Sequence, residues 1–157
     1  MDEVKLIADF AKKLFMQDGY HAPIVFVKGT TGKVALGLKL GETSDARELD
    51  MLNAGTFLAC KHHVGDLELL IYVCEAWMGT NIFIQPSQDR NRIEVLIVNS
   101  LDLRTKKEEI QAFEIKRNPK GNVLDLKDLS LPEKSSVEGR LLPAFQKGYQ
   151  VISPVHN

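Results

Sequence analysis

No charge of one sign prevails in this chain: twenty Lys and Arg stand against twenty-one Asp and Glu over 157 residues, a formal charge of −1. That balance supplies no global attraction to phosphate backbones or anionic membranes, so it argues against nucleic acid as a partner. Long apolar runs are missing too. The longest, Leu69 to Val73, falls far short of the roughly 20 residues that a membrane-spanning helix needs. Met1-Asp2-Glu3 is acidic and leads straight into an amphipathic pattern, unlike the basic start and apolar stretch of a secretory signal. A cytoplasmic protein with no membrane partner is the expectation. Cysteine is scarce: Cys60 and Cys74 fall on different expected elements in apolar surroundings, outside any Cys-x-x-Cys pair. They read as reduced core thiols in a reducing compartment.

What is present is the composition of an ordinary globular domain, 44% apolar and 26% charged, without the low hydrophobicity that keeps chains disordered. At this length, residues 1–157 form one domain by default. Val4, Leu6, Ile7, Phe10, Ala11, Leu14 and Phe15 recur at three- and four-residue spacing, which predicts an amphipathic helix over 3–17 stopped by Asp18-Gly19. Ile24 to Val27 and the alternating Val34, Leu36, Leu38 and Leu40 predict a hairpin around Gly29-Thr30-Thr31-Gly32. Thr43-Ser44-Asp45 offers cap oxygens for a long second helix ending by Gly65. Period-two patterns follow at 66–78, 93–98, 109–116 and 123–126, the first apolar on both faces as a central strand would be. A helix around 137–145, broken by Pro143, closes the chain.

The expected class is α+β, an antiparallel sheet of about five to six strands in the order α-β-β-α-β-β-β-(β)-α. That element order resembles the roadblock and profilin-like folds, a likeness of architecture alone.

Glu75 is the residue most at odds with its setting, because it shares a strand face with Leu69, Ile71, Val73 and Trp77. A carboxylate there must find a partner or become neutral. Arg90 and Arg92 are the nearest cations in a hairpin reading, and Glu94 follows, so a cluster of Glu75, Arg92 and Glu94 is expected at the loop end. It serves either as a structural ion pair closing the loop, or as a ligand site with Glu75 as base and an arginine as anion clamp. A second constellation lies on the second helix, where Asn53, Thr56, Cys60 and His63 make one polar stripe beside Leu49, Leu52 and Ala59. It reads as close packing or as a pocket lining. Cys60 with His63 supplies too few ligands for zinc, and no cofactor motif is present, so neither a metal nor a cofactor is expected. His21, His62 and His63 lack the serine setting of a hydrolase. Gly29-Thr30-Thr31-Gly32 lacks the Gly-Lys-Thr ending of a phosphate loop and precedes a strand. The pairs Lys106-Lys107 and Lys116-Arg117 flank one strand with little aromatic interleaving.

The run Glu75-Ala76-Trp77-Met78, followed by Pro86-Ser87-Gln88-Asp89-Arg90-Asn91-Arg92-Ile93-Glu94-Val95, resembles a pattern in a set of uncharacterised prokaryotic and phage proteins. The resemblance implies no activity; it adds weight to Glu75, Trp77 and Arg92 as a unit. Two functions are left standing. One is a non-enzymatic binding or assembly module with a protein partner, forming a homodimer because the Met51, Ala54 and Leu58 side of the second helix has no evident cover. The other is a small enzyme or ligand-binding protein with its site at the Glu75, Trp77 and Arg92 loop.

Overall fold

Among the described residues, three helices and six strands follow the order that the patterning requires: α1 (Glu3–Asp18), β1 (Ile24–Gly29), β2 (Lys33–Gly37), α2 (Ser44–Lys61), β3 (Leu67–Met78), β4 (Ile93–Asp102), β5 (Lys107–Arg117), β6 (Val123–Leu129) and α3 (Leu141–Ile152). The structure, a computed structural model, describes residues 2–79, 90–129 and 139–152. Most of the expected loop between β3 and β4, including Pro86, lies outside those residues, as does the expected start of the last helix at Val137. The strands form one open antiparallel sheet in the order β2-β1-β3-β4-β5-β6, so the fold is α+β. Among the described residues, no helix is long and apolar enough to cross a membrane.

The chain divides into two compact units. One comprises residues 1–22, 73–99 and 110–135, the other residues 23–72, 100–109 and 136–157. In the first unit, α1 starts where the Asp2 carboxylate accepts the amides of Val4 and Lys5 at 3.1 and 3.2 Å, and it stops at Gly19, whose φ of 78° only glycine adopts freely. Its buried stripe is Ala8, Ala11 and Phe15. Leu6 and Phe10, expected in that stripe, lie on the opposite side and are exposed. On a helix, positions two residues from Ala8 are turned by about 200°, so the apolar residues could not all share one face.

In the second unit, α2 buries Met51, Gly55, Leu58 and Ala59. This corrects the expectation of an uncovered side. The Met51 and Leu58 side is covered, at 0% and 2% exposure, because Gly55 on that stripe meets α3. The apolar residues left outside are Leu49 and Phe57, at 58% and 54% exposure. The approach of α3 is close enough that a Cβ on Gly55 would lie 2.8 Å from the Tyr149 amide nitrogen, and one on Gly148 would lie 2.8 Å from the Leu52 carbonyl carbon. Thr56 Oγ1 donates to the Gly148 carbonyl at 3.1 Å across the same crossing. Pro143 does not break α3. It is the third residue of the helix, where the amide has no intrahelical acceptor to lose.

Candidate functional site

The charged cluster expected around Glu75 exists, but its centre is Arg117, at the end of β5. The Arg117 guanidinium forks onto Glu94, with Nε donating at 3.0 and 3.3 Å to the two carboxylate oxygens and Nη2 at 2.9 Å to Oε2. Two further hydrogens go to backbone: Nη1 donates to the Gly121 carbonyl at 2.9 Å and Nη2 to the Gly19 carbonyl at 3.2 Å. The last contact places a cation on the C-terminal cap of α1, where the helix dipole favours one. Glu75 comes only within 3.9 Å of Nη2, beyond hydrogen-bonding distance.

Two carboxylates therefore share one guanidinium that is already committed to one of them. Burial, and then the Glu94 charge, push the Glu75 carboxyl above its ordinary value, against the pull of Arg117 and of the His21 amide and ring. The sign for stability follows. A carboxyl with a raised folded pKa contributes stability below its unfolded pKa, and loses it as the pH rises through the folded value. Glu75→Gln at neutral pH is therefore expected to leave the stability unchanged or raise it, by no more than about 1 kcal/mol for a side chain 32% exposed. The advantage over the parent should shrink as the pH falls through the carboxylate range. A melting temperature clearly lowered at pH 7 would contradict this assignment of charges.

Arg92 goes elsewhere: its guanidinium stands 4.1 Å from the centre of the Trp77 ring, a cation–π contact on an indole that is 44% exposed. Arg90 is exposed in the turn before β4. The structure thus brings Glu75 to Glu94 and Trp77 to Arg92, and the residue that sequence reasoning missed is Arg117. A count back from the β4–β5 turn would have found it, since pairing Asp102 with Lys107 carries Arg117 to the level of Arg92, two residues from Glu94.

The α2 stripe is not a pocket lining. Asn53, Cys60 and His63 are exposed, and Thr56 is half-buried on Gly148. Cys60 was expected in the core with Cys74; only Cys74 is buried. The stripe lies on the side of α2 away from Met51 and Leu58. Cys60 should accordingly react with a thiol reagent in the native protein within the time of an exposed thiol, while Cys74 waits for denaturant. Equal protection of both thiols would overturn that placement.

The hairpin loop is a turn whose amides are spent: Gly29 N–H donates to Gly32, Thr30 to Asp66 and Thr31 to Val64, each at 2.9 Å. Thr30 Oγ1 accepts the Asp66 amide at 3.0 Å. Tyr149 completes this clasp, its hydroxyl donating to the Gly65 carbonyl at 2.6 Å and accepting the Val64 amide at 3.0 Å, while His63 Nδ1 accepts the Gly65 amide at 3.0 Å. No anion cradle of the phosphate-loop kind is left there. Three of the four cations flanking β5 are matched by acids: Lys107 by Glu109 at 2.8 Å, Lys116 by Glu114, and Arg117 by Glu94. Among the described residues, no three His, Cys, Asp or Glu side chains come together as a metal site. No family model, curated protein or solved structure matches the chain.

Proposed function

We propose that this protein is a non-enzymatic binding or assembly module that works as a homodimer. The observation that carries this reading is the commitment of the arginines. Arg117 spends donors on Glu94, Gly19 and Gly121, and Arg92 stacks on Trp77, which leaves the exposed Arg90 in the turn before β4 as the anion clamp that an enzyme at this loop would have to use. Exposed apolar side chains add to it: Leu6 and Phe10 on α1, Leu49 and Phe57 on α2, each on a helix whose opposite side is buried.

The alternative, a ligand site at Glu75, Trp77 and Arg92, has one observation of its own. Glu75 and Trp77 are both partly open to solvent on one strand face. Sedimentation over a range of concentrations tests the first reading. A species of twice 17.6 kDa is expected, and a chain that stays monomeric up to its solubility limit removes the homodimer.

A further inference from the structure

β2 is the last strand on its side of the sheet. Its register with β1 pairs Val25 with Leu36, Val27 with Val34 and Lys28 with Lys33. The hydrogen bonds at the two ends of this ladder, Gly29 N–H to Gly32 and Leu38 N–H to Pro23, both at 2.9 Å, fix which residues face β1. Because that orientation alternates, Val34 and Leu36 turn their backbone groups to β1, whereas Lys33, Ala35 and Gly37 turn theirs outward. These three residues are also the exposed ones of the strand.

An outward row of amides and carbonyls is a template for another strand unless the edge is blunted. The opposite edge, β6, is blunted: it carries Asp125, Lys127 and Asp128, and a bulge opposite Lys116 and Arg117. Between Lys33 and Gly37, β2 has neither an internal charge, a proline nor a bulge.

We infer that β2 is the contact of the homodimer, pairing antiparallel with β2 of a second copy about Ala35. The inference rests on the assembly reading above, and it names where assembly happens. The occupant follows from the spacing and the charge of the edge itself. A two-fold axis at Ala35 sets outward residues against outward residues: Ala35 faces Ala35 and exchanges both backbone bonds with it, while Lys33 falls opposite Gly37 of the second copy. No two lysines then stand directly opposed, which a cross-strand pair of like charges would penalise. Val34 lies beside Leu36 of the second copy, apolar against apolar. The small side chains of Ala35 and Gly37 let the strands close without steric cost.

Ala35→Pro tests this directly. It deletes an amide that β1 does not use, at an edge position where proline is tolerated, and removes both central bonds of the dimer. Ala35→Lys sets two like charges face to face at the axis. Both variants should keep the circular dichroism of the parent and weaken dimerisation at least about tenfold. On the unaltered protein, amide exchange at Lys33, Ala35 and Gly37 should slow as the concentration rises, with the inward amides of Val34 and Leu36 unaffected. This measurement decides the matter if Ala35→Pro fails to fold. A dimer that survives both substitutions, or that is dissolved only by Leu49→Glu with Phe57→Glu, overturns the β2 contact and leaves the assembly reading intact. An unaltered chain that never dimerises removes both.

Discussion

Gly148→Ala is expected to be among the most damaging single substitutions in this protein, although alanine is the better helix former by about 1 kcal/mol. The added methyl would overlap the Leu52 carbonyl oxygen, and its neighbours are backbone atoms that cannot rotate away. On the facing helix, Gly55→Ala meets the Phe145 carbonyl in the same way. Either change forces α2 and α3 apart, which uncovers Met51 and Leu58 and stretches the Thr56 bond to Gly148. A loss of about 3 kcal/mol is expected for each, a fall of roughly 6–12 °C in melting temperature at this chain length. The same substitution at Gly37, where nothing lies within 4 Å of an added Cβ, should be nearly silent. Three equal melting temperatures would mean that the helices do not cross at these glycines.

Arg117→Met should rank beside them. It retains much of the aliphatic volume but leaves Glu94 and Glu75 side by side without a cation, and strips the Gly19 and Gly121 carbonyls of their donor. Removing one partner from a largely buried pair costs about 3–5 kcal/mol, discounted here to roughly 2–4 kcal/mol because about a quarter of the side chain is open to water. The loss should diminish at low pH, where the Glu75 carboxyl becomes neutral and no longer needs the guanidinium. Adding Glu94→Gln to Arg117→Met should restore part of the stability, since it removes the charge left uncompensated. An additive double variant would contradict the pairing.

Element types and order were legible in the sequence because period and punctuation agreed. Asp2 and Gly19 bracket α1, Thr43 caps α2, and the two-sided apolar pattern from Leu67 places β3 inside the sheet. What failed was the assignment of faces on helices. Leu6 and Phe10 were expected inward because they are apolar, and Cys60 because its neighbours are. A helix carrying apolar residues on two sides does not reveal which side the fold will cover until its packing partner is known. For α2 that partner is α3, met at two glycines far apart in sequence. The candidate site was half legible. Glu75 declared itself by the company it keeps on its strand, whereas its cation had been sought in the adjoining loop. The pairing is carried across the sheet from β5, where only a register count reaches.

The clasp at the start of β3 bears on the order in which the chain can assemble. Val64 N–H and Gly65 C=O wait for a phenol hydroxyl 85 and 84 residues further on. During synthesis, the β1–β2 hairpin and α2 emerge with the Thr30 and Thr31 bonds to the 64–66 segment within local reach. Those two polar groups, by contrast, stay hydrated until α3 has left the ribosome. Such late, long-range closure belongs to the slow end of folding, because loop entropy must be spent before the contact returns anything. The second unit should therefore acquire its final hydrogen exchange protection in one late step, with Val64 as its reporter amide.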